Sequence, residues 1–210
     1  MKTQRGVKVG KNYISDCGLV NSELNVKLVE TLIKIQPTLD FFPYKSPSLY
    51  NDKMWKLLDP AISDNSSRGS AFEFLIAFTL LRENISPFYY QVEFNKIAWA
   101  EFDLLIFTEE IGPIVFSCKT SLRERWKQAE FEAQLLKRDF PESRSFLITM
   151  DPNESSVANK IKNGPKSGLE KVMRSNQPAF DRIIQEIKSY KVTSAPVGLF
   201  TKSNLIKLSQ

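Results

Sequence analysis

The spacing of apolar residues along the chain predicts alternating helices and strands. Helices are predicted over 22–35, 69–84, 121–140, 154–162 and 177–190. Short runs rich in β-branched and aromatic residues predict strands over 88–94, 102–107, 113–119 and 143–151. The proline- and aromatic-rich stretch 36–60 is predicted to be irregular. The helix 121–140 has the clearest pattern, a single stripe formed by Leu122, Trp126, Ala129, Ala133 and Leu136.

The strands 102–107 and 113–119 are separated by a five-residue turn, so we expect them to pair as a hairpin. A helix precedes this hairpin, and the long helix connects it to the strand 143–151. This order predicts an α/β fold, in which a mixed central sheet has helices on both faces. We expect one compact domain, made of an N-terminal helical or irregular segment, 1–60, and a core, 61–210.

The chain contains no histidine, and this absence changes the picture more than any other feature of composition. It excludes Ser-His-Asp and Cys-His hydrolases and histidine-ligated zinc sites. Two cysteines, Cys17 and Cys118, are too few for a Cys₄ site. Any metal would therefore be held by carboxylates and carbonyls, which are the ligands of Mg²⁺, Mn²⁺ and Ca²⁺.

Charge and the remaining motifs narrow the classes of partner. The net charge of +5 fits a polyanionic partner without requiring one. Neither a GxxxxGK[ST] nor a GxGxxG motif is present, so no nucleotide cofactor is expected. No apolar run is long enough for a membrane span, and the N-terminus has no apolar signal segment. We therefore expect a cytoplasmic protein with reduced cysteines.

The predicted hairpin brings one candidate pair of residues together. Asp103 lies at the start of the first strand and Lys119 at the end of the second, and these two ends are neighbours in a hairpin. Hydrolysis of a phosphodiester with hard metal ions needs carboxylates for the metal and a cation for the developing charge. The pair fits that chemistry, although a weak surface ion pair would have the same appearance.

The residues after Lys119 carry a resemblance. The stretch 119–128, KTSLRERWKQ, resembles the motif of the EcoRII, PspGI and SsoII group of type II restriction endonucleases, in the PD-(D/E)xK superfamily. In that group the catalytic lysine is followed at +4 to +6 by Arg-(Asp/Glu)-Arg and at +13 by a glutamate. Here these positions hold Arg123-Glu124-Arg125 and Glu132. The resemblance extends from about Ser66 to Asp151, and the isolated acids are its least specific part.

The resemblance implies an active site and a cofactor. Asp103, Lys119, Glu132 and Glu73 would be catalytic, and Asp103 and Glu132 would bind Mg²⁺. Mn²⁺ would substitute for it, and Ca²⁺ would support binding without cleavage. Ser117 stands where the ordinary ExK motif has its acid, and in this group the helical glutamate replaces that acid. Helical geometry alone leaves Glu130 open as well, because Glu130 and Glu132 flank the apolar stripe on opposite sides.

The resemblance also implies how DNA is read. Arginine matches the guanine edge and glutamate accepts from cytosine N4, so Arg123, Glu124 and Arg125 would read a CC:GG half-site. Arg68 precedes the helix of Glu73 and is a further DNA-binding candidate. A palindromic target implies a homodimer on double-stranded DNA. Relatives extrude the central bases, for which Tyr44 and Trp55, with Phe42 and Tyr50, are stacking candidates; covering the core is the simpler role for these rings.

Three functions remain open from the sequence. The leading one is a restriction endonuclease that cleaves a CC…GG palindrome and leaves 5′-phosphate ends. A structure-selective repair or recombination nuclease of the same fold would not need Arg123-Glu124-Arg125. A non-catalytic DNA-binding protein would not need the four catalytic candidates. A charged, solvated helix face is the alternative for the Arg-Glu-Arg segment.

Overall fold

A computed structural model describes residues 44–97, 99–164 and 166–207. The predicted helix 22–35 and the stacking candidate Phe42 lie outside these residues. Five α-helices are described: α1 (Pro47–Leu58), α2 (Asn65–Arg82), α3 (Arg125–Asp139), α4 (Glu154–Asn163) and α5 (Pro178–Ile187). The strands are β1 (Phe88–Phe94), β2 (Glu101–Thr108), β3 (Gly112–Lys119), β4 (Arg144–Thr149), β5 (Lys171–Arg174), β6 (Val192–Thr193) and β7 (Phe200–Ile206).

All seven strands form one mixed sheet, in the order β5-β4-β3-β2-β1-β7, with β6 paired to the outer part of β2. The strands β7, β1, β2 and β3 are antiparallel, and β3, β4 and β5 are parallel. The predicted hairpin is confirmed, with Leu105 opposite Val115. The helix α3 connects the parallel neighbours β3 and β4, as the order of elements predicts.

Helices cover both faces of the sheet, so the expected α/β sandwich is confirmed. On one face, alternate residues such as Phe116 and Phe146 pack in one buried cluster with α1, α2 and α5. On the other face, Leu147 packs with Ala129 and Ala133 of α3, in the stripe that the sequence predicts. Among the described residues, no helix combines the length and apolarity needed to cross a membrane.

The prediction of irregular structure over 36–60 is wrong for Pro47–Leu58, which forms α1. Proline has no N–H to donate and is tolerated in the first turn, where the helix does not need that donor. Ser46 supplies the cap, since its hydroxyl accepts from the N–H of Leu49. The helix α1 packs against α2, so one hydrophobic core contains residues from both sides of residue 60.

Other element ends differ from the predicted ones for local reasons. The helix α2 starts earlier than predicted because Asp64 caps it by accepting from the N–H of Ser67 at 2.8 Å. The helix α3 starts at Arg125, and the residues before it form a turn held by Asp151. The strands β5, β6 and β7 are absent from the sequence prediction, because β5 and β6 are short and β7 is largely polar.

The backbone of Gly168 lies so close to α3 that no side chain fits there. A Cβ at this position would lie 2.3 Å from the backbone nitrogen of Gln134, whereas a Cβ at Gly69 in α2 meets nothing within 4 Å. We expect Gly168→Ala to lower the free energy of unfolding by more than about 2 kcal/mol, since backbone must move. Gly69→Ala, the matched control, should raise it by about 0.5–1 kcal/mol. Urea denaturation measures both; equal effects would contradict the close approach.

Candidate active site

The side chain of Asp103 joins the ends of β2 and β3. Its Oδ2 accepts a hydrogen bond from the Cys118 N–H at 2.6 Å and one from the Lys119 ammonium at 2.9 Å. The side chains of Asp103 and Lys119 are each only 13% exposed. The two residues that the hairpin pattern predicts to be neighbours are therefore in direct contact, in a partly buried ion pair.

A local break in two strands turns Asp103 toward this edge. In a regular strand, residues two positions apart share a face of the sheet. Two such pairs break this rule, because the two members of each pair pack on opposite faces of the sheet. They are Tyr90 and Val92 in β1, and Phe102 and Leu104 in β2. Gln91, between the first pair, has a backbone φ of 50°, which residues other than glycine rarely adopt. Asp103 lies between the second pair, so its side chain emerges where the regular alternation fails.

Glu132 of α3 lies close enough to Asp103 and Lys119 for their charges to shift its pKa. It is 2% exposed, and its Oε1 accepts from Gln128 Nε2 at 2.8 Å. Its Oε2 is buried with no hydrogen-bond partner among the described residues. Burial raises the pKa of Glu132 to about 7, although the Gln128 hydrogen bond and the Lys119 charge oppose this shift. Glu130, the alternative from helical geometry, instead accepts from the N–H groups of Gly168 and Leu169.

Glu73 of α2 approaches the same edge from the other face of the sheet. Its Oε2 accepts a hydrogen bond from the Tyr90 hydroxyl at 2.9 Å, and Gln91 Nε2 donates to that hydroxyl at 3.4 Å. Burial and the charge of Asp103 raise the pKa of Glu73 well above its ordinary value. Four elements thus bring three carboxyl groups and one lysine together.

Lys119 remains a cation in this setting. Burial alone would lower the pKa of Lys119, but the charge and hydrogen bond of Asp103 outweigh it, so the pKa is raised. The neighbouring Cys118 is 2% exposed and packs on the α2 side of the sheet, as predicted for a core residue. Burial raises the pKa of the Cys118 thiol, which leaves it without thiolate character.

The turn after Lys119 is fixed from the end of β4. The Thr149 hydroxyl donates to the Lys119 carbonyl at 2.6 Å, and Asp151 Oδ2 accepts from the Leu122 N–H at 2.8 Å. Burial of Asp151 raises its pKa, but hydrogen bonds from Leu122 and Asn153 outweigh this and leave it lowered. Sequence reasoning missed Thr149 and Asp151; their place at the end of a strand parallel to β3 is the signal that could have found them.

The segment Arg123-Glu124-Arg125 lies on this turn and at the first residue of α3, and all three residues are exposed. The Glu124 carboxylate pairs with Lys127. That hydrogen bond, with a smaller contribution from the Lys160 charge, lowers the pKa of Glu124. The segment is therefore accessible and charged, and it begins four residues from Lys119.

Three further candidates lie apart from the four-residue group. Arg68 forms an ion pair with Asp59, with 2.8 Å between Nε and Oδ1. The Tyr44 hydroxyl donates to Glu83, and the guanidinium of Arg82 lies 4.8 Å from the centre of the Tyr44 ring. The partly buried Trp55 ring meets Phe72 edge-on, with 5.3 Å between ring centres. The contacts of Tyr44 and Trp55 are with the core, and base stacking by either ring stays a prediction.

The donor set fits Mg²⁺, with water and substrate completing the coordination. Within the described residues, no group of three His, Cys, Asp or Glu side chains forms a ready-made cage. Mg²⁺ is commonly held by one or two carboxylates together with waters and phosphate oxygens. Asp103 and Glu132 would supply the carboxylates. The buried, unpartnered Oε2 of Glu132 is the observation that favours a cation, since such an oxygen is costly to leave unsatisfied.

Comparisons of the chain with protein-family models, curated proteins and solved structures found no match.

The raised pKa of Glu132 predicts a pH dependence of stability in metal-free protein. The folded protein binds a proton more tightly than the unfolded chain, so stability falls as pH rises from about 4.5 to 7 and stays low above it. Glu132→Gln should therefore be more stable than wild type at pH 8, by on the order of 1–3 kcal/mol. The difference should shrink as the pH is lowered toward about 4.5, the ordinary pKa of a glutamate.

Urea denaturation in EDTA at several pH values measures this effect. Glu142→Gln, an exposed control, should change stability by less than about 0.5 kcal/mol at every pH. A variant Glu132→Gln that is less stable than wild type at pH 8 would contradict the assignment of a costly buried charge.

Proposed function

We propose that the protein is a Mg²⁺-dependent endonuclease for double-stranded DNA, of the type II restriction class, with a CC…GG palindrome as its target. The observation that carries the proposal is the convergence of Asp103, Lys119, Glu132 and Glu73 at one sheet edge, from four separate elements. The order of those elements and the mixed sheet agree with the nuclease fold expected from the sequence. The target and the class rest on the resemblance around Lys119.

The residues divide the work of phosphodiester hydrolysis. A water oxygen attacks phosphorus, the bond from phosphorus to O3′ breaks, and the products carry a 5′-phosphate and a 3′-hydroxyl. Asp103 raises the pKa of Lys119, so Lys119 would act as a cation that stabilises negative charge on the phosphate. When bound to Asp103 and Glu132, Mg²⁺ would supply Lewis-acid chemistry and activate water. Glu73 lies near Asp103 and is oriented by Tyr90, and it would add negative charge there when a cation offsets the cost of its burial.

The exposed segment Arg123-Glu124-Arg125 suits reading of base edges beside the scissile bond. The two guanidinium groups match guanine O6 and N7, and the ionised Glu124 can accept from cytosine N4. Asp151 fixes the backbone at Leu122, so the segment is oriented before DNA binds. A palindromic target requires two copies of this segment, and we propose a homodimer as the active form.

Replacement of Asp103 tests the chemistry. We expect Asp103→Asn to lower the rate of plasmid cleavage in Mg²⁺ by about 1000-fold or more. The variant lacks an anionic ligand for the metal, and a bound metal ion stabilises the charge of the transition state by several kcal/mol. Binding of the same DNA in Ca²⁺ should survive. Asp181→Asn is the control, since Asp181 caps the start of α1 through Ser48 on another part of the fold. Cleavage at the wild-type rate by Asp103→Asn would show that the ligand assignment is wrong.

Replacement of Arg123 tests the reading of DNA. Arg123→Ala should weaken binding to a CC…GG duplex by about 5- to 150-fold, the value of one bidentate contact to a base. Binding to an unrelated duplex should change far less. Lys191→Ala, an exposed lysine beside the other end of β2, is the control, and it should leave the affinity for both duplexes unchanged. Fluorescence anisotropy in Ca²⁺ measures the six affinities of wild type and the two variants for the two duplexes, and equal losses for Arg123→Ala would make it a phosphate contact.

A further inference from the structure

Trp99 is the most exposed aromatic side chain in the described part of the chain. It is 94% exposed, whereas its loop neighbours Ile97 and Ala100 are 2% and 3% exposed and pack under β1 and β2. The loop between β1 and β2 is thus anchored in the core on both sides of Trp99, while the largest apolar side chain in it faces solvent. Tryptophan is enriched at recognition surfaces relative to the rest of a protein's surface.

The backbone of Trp99 is held in a conformation that its side chain disfavours. Its φ is 69°, in the left-handed region, which costs an ordinary residue about 1–2 kcal/mol. A residue without a Cβ, such as glycine, would meet no such cost. Residues held in such sparsely populated backbone conformations cluster at active sites and ligand-binding positions.

The loop lies at the same edge of the sheet as the candidate active site. Asp103 follows Trp99 by four residues, which limits the distance between their Cα atoms to about 14 Å. The strand β2 passes from the loop directly into Asp103, and Asp103 contacts the end of β3. The major groove of B-DNA alone is about 12 Å wide, so a duplex with a phosphodiester at Lys119 would reach Trp99.

A second loop supports this one. The Asn95 N–H donates to the Leu199 carbonyl at 3.0 Å, and the Asn95 side chain donates to the Gly198 carbonyl. Val197, the next residue in that loop, is fully exposed. Two neighbouring loops, held together by these hydrogen bonds, thus present the apolar side chains of Trp99 and Val197 to solvent at the edge of the sheet that carries Asp103.

We propose that Trp99 is an apolar wedge that inserts at a base step of the double-stranded DNA held at the Asp103 edge. This inference rests on the proposed nuclease function. Apolar side chains that enter between base pairs unstack them and bend the duplex, and an indole ring stacks on any base. Within the residues that the structure describes, nothing encloses the Trp99 ring, which is 94% exposed, so a step within the duplex fits better than a pocket for an extruded base.

Binding measurements on four proteins in Ca²⁺ test the wedge: wild type, Trp99→Ala, Trp99→Phe and Leu205→Ala. Leu205 is an exposed apolar residue at the other end of β7, opposite Tyr89, and serves as the control. Trp99→Ala should weaken binding of a CC…GG duplex by about 10- to 100-fold, the loss of one stacked base. Trp99→Phe should retain most of the affinity, and Leu205→Ala should equal wild type.

Two more readouts separate a wedge from other roles of the ring. A duplex with 2-aminopurine beside the target should brighten with wild type and not with Trp99→Ala. Sedimentation without DNA should give wild type and Trp99→Ala the same oligomeric state.

Each contrary result is distinct. Equal affinities of wild type and Trp99→Ala, or no 2-aminopurine response with wild type, overturn the wedge while cleavage by wild type leaves the nuclease proposal standing. A changed oligomeric state in Trp99→Ala assigns the ring to an interface between protein chains. Wild type that neither binds nor cleaves DNA overturns both proposals.

Discussion

The Asp103 carboxylate accepts hydrogen bonds from the Cys118 N–H and the Lys119 ammonium, and the other contacts at this edge depend on it. It pairs with Lys119, the only lysine in the group of four. The positive charge of that lysine is therefore already balanced. Glu73 and Glu132 then have to share a partly buried edge with a carboxylate that already pairs with the lysine. Their pKa values are raised because burial penalises their charged forms, with Asp103 adding repulsion. A divalent cation is the partner that would relieve this imbalance.

The fold supplies the convergence through its strand directions. The parallel pair β3 and β4 ends at the same edge, which brings Lys119 beside Thr149 and close to Asp151. The antiparallel strand β2 starts there and provides Asp103. The residues that would do chemistry and the residues that would read DNA are thus fixed by one short stretch of backbone. A change in the β3–β4 register would move both together.

The sequence predicted the parts of the site that depend on local pattern. The hairpin placed Asp103 beside Lys119, and the alternation of β3 placed Cys118 in the core. Geometry alone could not choose between Glu130 and Glu132, because both flank the same stripe; the packing of α3 turns Glu132 inward and leaves Glu130 to hold the 167–169 loop. Tyr90 and Gln91 were missed because the break in β1 is a backbone feature. The strand β7 was missed because its stability comes from pairing with β1.

The proposed activity of the Asp103–Lys119 edge is hydrolysis of double-stranded DNA at defined sites. Incubation of phage DNA with the protein and Mg²⁺, followed by sequencing of all ends, tests it most directly. We expect discrete 5′-phosphate ends at CC…GG sites with wild type, and none with Asp103→Asn. Intact DNA, or ends scattered without sequence preference or confined to junctions, would contradict it.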